Sequence, residues 1–307
     1  MAGKNVWRTI SRAGFVQDRL ANGSPVAATI FAMSPAALYF ASGESLYPGV
    51  VFLLLGVMAP ERWPVLRSLS GWIGLILMVG ACPPAPWWAY GIFVGIFLLW
   101  LFRPKKLSRA AATMMLAMAV FLVLGTELSQ RKMPVIAGGT EHSLVIIGDS
   151  LSSGIGGPSW PTILEHSAGI SIKNLSRPGA GVRDALAMAA QMTREDHLLL
   201  LEIGGNDLLG GVPSADFANG LEGLLMKACA PGRTVVMFEL PLIPSKIAYG
   251  YSQRRLARKY HVFLIPKRFF ADVLRGPHAT SDGLHLSEVG ASRMAALVEQ
   301  ALSPVLQ

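Results

Sequence analysis

Leu144-Val-Ile-Ile-Gly-Asp-Ser-Leu151 is the stretch that decides how the second half of this chain folds. Four apolar residues in a row, closed by Gly148-Asp149, predict a short buried strand that delivers Ser150 to its carboxyl end. Far downstream, Asp282-Gly-Leu-His285 stands before the last helix-like segment, spaced so that carboxylate and imidazole share one turn. Those three side chains suit an activated nucleophile: Ser150 attacks, His285 takes its proton as general base, and Asp282 holds the ring tautomer.

The surrounding pattern supplies a frame for them. Strand-like runs at residues 144–147, 170–174, 197–203, 234–240 and 262–265 alternate with helix-like segments at 160–166, 182–193, 215–230, 252–260 and 287–302. Such alternation predicts an α/β domain, a parallel five-stranded sheet with helices on both faces and its ligand site at the carboxyl ends of the strands. Asn174-Leu-Ser-Arg-Pro-Gly179 ends the second run and Gly204-Gly-Asn-Asp207 ends the third, so Gly179 and Asn206 reach the same edge as Ser150 and His285.

These four places carry a resemblance. Ser150, Gly179, Asn206 and His285 resemble the signature of the GDSL or SGNH hydrolase family, in its order, over roughly residues 142–303. The resemblance implies a flavodoxin-like three-layer fold, ester hydrolysis through an acyl-Ser150 intermediate, and no cofactor or metal. It also implies an oxyanion hole made by the backbone N–H groups of Ser150 and Gly179 with the side-chain amide of Asn206. Glu202-Ile-Gly-Gly-Asn-Asp207 looks most like bacterial periplasmic members with thioesterase, arylesterase and lysophospholipase activity. His285 is followed by Leu286-Ser287 where many of those members carry Pro-Asn.

Neighbouring residues have competing readings. Ser152 and Ser153 fall in the turn beyond the nucleophile, and Asp149 serves the serine turn better than it serves the histidine. Asp207 is either a brace behind the site or a helix cap. His142, His166, His197, His261 and His278 lack an Asp at the spacing that separates Asp282 from His285. Residues 241–251, after the fourth strand, are expected to line or cover the cleft.

The first half reads differently. Hydrophobic residues make up 52% of the chain and charged residues 15%. Residues 1–140 hold twelve Lys+Arg against four Asp+Glu, whereas 141–307 hold fifteen of each. Apolar stretches at 26–41, 46–59, 71–82, 87–102 and 110–125 predict about five transmembrane helices, the third being the weakest. The basic residues sit in alternate loops, which predicts a cytoplasmic amino terminus and a periplasmic or extracellular catalytic domain. The expected organisation is a membrane domain over 1–125, a linker over 126–141 and a hydrolase domain over 142–307.

Trp7, Ile10, Phe15 and Leu20 among Lys4, Arg8, Arg12 and Arg19 form either an interfacial helix or a basic tail. No basic stripe with interleaved aromatics points to nucleic acid. Cys82 and Cys229 lack metal-ligand spacing. The expected substrate is an O-acetyl or acyl ester, or a thioester, of an envelope polysaccharide or a lipid. The expected partners are membrane lipids and a membrane protein. The same acyl-serine also suits an O-acyltransferase, and a non-catalytic envelope scaffold is the third reading.

Overall fold

The computed structural model describes residues 34–136, 139, 141–155 and 157–306. The amino-terminal segment with Trp7 to Leu20, the start of the first apolar stretch and part of the linker lie outside the described residues.

Five parallel strands form one sheet: β1 (Ser143–Gly148), β2 (Ser171–Asn174), β3 (Leu198–Glu202), β4 (Thr234–Phe238) and β5 (Phe263–Ile265), in the order β2-β1-β3-β4-β5. β3 is central and buried along its whole length, which explains why its sequence is a run of leucines and not an alternation. Each fully buried leucine contributes about 1.5 to 3 kcal/mol from area removed from water. In register, Gly148 of β1 pairs with Glu202 of β3, so both strands end together. The chain leaves β1 towards β2 on one side and returns to β3 on the other, and that reversal opens a crevice at the strand ends.

All five strands fall where the hydrophobic runs place them. Three helices escape that reading: the short Ser150–Ser153 and Gly205–Leu209, and Lys267–Arg275, which lies directly after β5 and buries Phe270, Ala271, Val273 and Leu274. This last helix begins at Pro266 and is only nine residues long, so its periodicity is brief.

The amino-terminal helices are α1 (Pro35–Ala41), α2 (Leu46–Met58), α3 (Pro64–Gly80), α4 (Trp87–Leu101) and α5 (Arg109–Leu128). In the second half they continue as α6 (Ser150–Ser153), α7 (Trp160–Ala168), α8 (Val182–Ala189), α9 (Gly205–Leu209), α10 (Ser214–Ala228), α11 (Ile247–Tyr260), α12 (Lys267–Arg275) and α13 (Glu288–Leu302).

Of the five expected spans, the described residues show one or two by length and composition. Among the described residues, only α5 is by itself long and apolar enough to cross a membrane, and α1 with α2 would count as a second span only as one unit bent by 76°. At 1.5 Å per residue, α2 and α4 rise roughly 20 Å, short of a hydrocarbon core of about 30 Å. The described part of the first stretch is the short α1, which packs on α12 of the α/β half. The third stretch belongs to a helix that starts at Pro64, ahead of residue 71. α5 runs past residue 125, to Leu128.

These helices run antiparallel. Ser45 Oγ, ahead of α2, donates to Leu77 O near the end of α3 at 2.9 Å. Arg67, early in α3, reaches Trp100 O late in α4 at 3.4 Å, and Arg109 of α5 bonds Ala59 O and the Glu61 carboxylate. One end of the bundle therefore gathers Arg62, Arg67, Arg109 and the 103–106 loop. The other end meets the α/β half: Leu242 N–H donates to Ala41 O, and the Lys267 ammonium donates to Ala81 O and Cys82 O. There Glu127 of α5 is buried against Arg254, 2.8 Å away, and Arg254 also pairs with the fully buried Glu239 at 2.6 Å.

Candidate active site

Ser150 opens α6 at the sharp turn off β1. Asp149 caps that helix, its carboxylate accepting the Leu151 N–H at 3.0 Å, so its place is in the serine turn. A side chain on Gly148 would sit 2.6 Å from Ser152 Oγ, and the turn closes only around glycine. Ser152 is buried inside α6 and donates to Glu202 Oε2 at 2.8 Å, and its carbonyl accepts from Asn174 Nδ2. Three strand ends are thus sewn together beneath Ser150.

Asn206, on α9 after β3, donates through Nδ2 to Asp149 Oδ2 and to Ala180 O, each at 3.0 Å. Both amide hydrogens are engaged in this arrangement. Hydrogen bonds of this kind commonly realign when substrate binds. Gly179 lies beside Ala180 in the loop after β2, at φ +75, a left-handed conformation that favours glycine. Asp207 resolves as a cap: Oδ2 accepts the Val182 N–H at 3.0 Å, at the start of α8 and not of its own helix.

Asp282 and His285 meet in a turn ahead of α13, a correction to the expected helical turn. Asp282 Oδ1 accepts the N–H groups of Leu284 and His285, and Oδ2 lies 2.7 Å from His285 Nδ1. A carboxylate that takes Nδ1–H leaves Nε2 free as an acceptor, the form a general base needs. Among the described residues no hydrogen bond joins Ser150 to His285. Their relation runs through the cleft instead: Ser150, Asn206 and Leu284, the residue before His285, line the same cavity. The other histidines pair with no carboxylate among the described residues.

Three carboxyl groups sit close beneath the cleft, and only one of them was weighed from the sequence as part of the serine turn. Burial pushes Asp149 up to about 6. Burial, then the neighbouring Asp149 charge, raises Glu202 well above the usual carboxylate range. Burial also raises Asp207. Asp282 goes the other way: burial opposes its charge, but the backbone N–H and the ring of His285 outweigh that and hold it low. Glu202 could have been noticed as the one charged residue in a leucine strand. Among the described residues, no group of His, Cys, Asp and Glu side chains could hold a metal ion.

Of the 241–251 segment, Pro241 and Ile243 line the cavity. Tyr249 is buried elsewhere, stacked on Phe217 with its hydroxyl near Asp207 O and Val212 O.

A serine at the head of β1, with an Asp–His pair across one cleft, is the arrangement of a serine hydrolase. Comparison with known proteins agrees: residues 146–293 match the GDSL-like lipase/acylhydrolase family. An arylesterase of Vibrio mimicus is 31% identical over 168 residues, which cover 48% of this chain and 82% of that relative. Esterase TesA of Pseudomonas aeruginosa is 25% identical over 182 residues, 54% of this chain and 90% of its own. A solved structure of TesA aligns with TM-score 0.48 and 26% identity, over 53% of this chain and 99% of that one. The chain belongs to the GDSL-like lipase/acylhydrolase family and is a serine hydrolase acting on ester bonds.

Proposed function

We propose that Ser150 is the nucleophile, His285 its general base and Asp282 the orienting carboxylate, with the N–H groups of Ser150 and Gly179 and the amide of Asn206 as oxyanion donors. The observation that carries this reading is the 2.7 Å contact between Asp282 and His285, one residue from a cavity wall shared with Ser150 and Asn206. Ser150 Oγ adds to the ester carbonyl as its proton passes to His285. The tetrahedral oxyanion collapses, the alcohol leaves with that proton, and a water deprotonated by His285 then cleaves the acyl-Ser150 bond to release the acid.

The substrate is an O-acetyl or acyl ester, or a thioester, of an envelope polysaccharide or a lipid, and the enzyme is anchored in the cell membrane. Among the described residues, twenty of the twenty-five exposed large hydrophobic residues precede residue 129. So large an apolar surface is stable in lipid and costly in water. The basic residues gather at the bundle end away from the hydrolase half, which by the positive-inside tendency puts that half outside the cytoplasm. α2 and α4 are short, and local bilayer thinning accommodates them at modest cost.

A fluorophosphonate probe tests the chemistry. Wild type is expected to label and Ser150→Ala is not, with no loss of fold; labelling of Ser150→Ala at Ser152 would remove Ser150 from the role. Reporters test the topology. One fused at Gln307 should work only when exported, and one within the 103–109 loop only in the cytoplasm. A cytoplasmic signal at Gln307 would overturn the orientation while leaving the chemistry in place.

A further inference from the structure

The cavity beside Ser150 is not built by the hydrolase half alone. Leu38 and Ala41 of α1 are part of its wall, facing Phe270 and Leu274 of α12. Both are buried at 2% exposure, and α1 lies outside residues 146–293 that match the family. The position of α1 is set from several directions. Ser34 caps its start by accepting the Ala37 N–H, and Ala41 O at its end accepts from Leu242. Just beyond it, the Glu44 carboxylate holds Arg275 of α12 at 2.9 Å. An amino-terminal helix is thus fixed against the reaction centre.

The shape of the site separates the two sides of an ester. His285 must hand its proton to the departing alcohol, and its pair with Asp282 lies at the more open side, Asp282 being 54% exposed. The leaving group therefore faces solvent. The acyl group points the other way, into the cavity between α1 and α12. That space measures about 70 Å³, well above the ~10 to 15 Å³ that one water needs, and apart from Asp149, Ser150, Glu202, Gly205 and Asn206 its lining is apolar.

We propose that α1 forms one wall of the acyl-binding pocket, so that Leu38 and Ala41 set the acyl-chain length this enzyme accepts, and that the preferred substrate is an ester of an apolar acyl chain longer than acetyl. The proposal rests on Ser150 being the nucleophile. It ties specificity to the amino-terminal region: the segment that leads into the membrane bundle also closes the site around the chain to be cleaved.

The test uses the full chain in detergent micelles, with p-nitrophenyl acetate, butyrate and octanoate as probes. Leu38→Trp, which fills the cavity, should lower the octanoate-to-acetate ratio of kcat/KM at least tenfold. Leu38→Ala, which enlarges it, should shift the optimum towards longer chains. Fluorophosphonate labelling of each variant at Ser150 reports an intact reaction centre, and Leu38→Ala with Ala41→Met carries the test if Leu38→Trp loses labelling. Ratios within twofold of wild type in labelled variants would overturn the proposal, as would a wild type that cleaves acetate and not octanoate. Failure of wild type itself to label would instead overturn the assignment of Ser150.

Discussion

In the sheet, apolar side chains point at one another; in the amino-terminal bundle many point outward. β3 hides every residue from Leu198 to Glu202, while α2 leaves Val51, Leu54, Leu55 and Met58 exposed and α5 leaves Met114, Met118, Phe121 and Leu122 exposed. The bundle still has its own interior, with Phe97, Trp100 and Leu116 buried among its helices. Hydrophobicity alone therefore does not separate the two regions; the direction of burial does. A sheet domain buries apolar area against itself, and the bundle leaves much of its own exposed.

Where the two regions meet, the interface is ionic and buried, and that is the most sensitive place to break the contrast. Arg254→Ala would leave Glu127 and Glu239 as buried carboxylates without their guanidinium. Removing one partner from such a pair costs about 3 to 5 kcal/mol. The expected outcome is a clearly lowered melting temperature in detergent for both regions together. Separate melting of an undisturbed hydrolase half would show that the regions fold independently.

Within the hydrolase half the next largest effect belongs to Asn206→Ala. An oxyanion donor acts mainly in the transition state, so kcat should fall about 100 to 1,000-fold with little change in KM. Steady-state rates on a short ester decide it, and a loss below about threefold would remove Asn206 from the hole.

The smallest effect sharpens the contrast by pH. Asp149 has its folded value raised to about 6 by burial, so its protonated form fits the fold better. Its stabilising contribution is complete at pH below the unfolded value near 4 and is lost as pH rises through about 6. Asp149→Asn should flatten the dependence of melting temperature on pH between about 4 and 6. An unchanged slope there would shift the titration to Glu202. The Asp282 carboxyl, held low by its contacts with His285, works in the opposite sense: its contribution is present above the unfolded value and is lost in more acidic solution.

Most of the sheet and the four places around Ser150 were legible in the sequence because each depends on local pattern. A strand of four or five apolar residues and a Gly-Asp-Ser turn need no distant partner to be recognised. Asp282 and His285 were legible as a pair, but their turn was not, since it is held by Asp282 Oδ1 accepting the N–H groups of Leu284 and His285. Glu202 and the α12 helix were missed as parts of the site. Their roles depend on what is packed beside them, Ser152 in the one case and α1 in the other.

The sequence by itself determined the succession of the five strands, the asymmetry of charge between the two halves and the candidate residues for acyl chemistry, all of which follow from composition and short-range spacing. Only the tertiary structure decided that α1 leaves the bundle to line the cleft, that Asn206 is engaged with Asp149, and that Glu127 of the last apolar helix is buried against Arg254. The physical reason is separation along the chain: Glu127 and Arg254 are far apart in sequence, and an ion pair of that kind forms only once folding has brought the two groups together closely enough for their attraction to offset the loss of water.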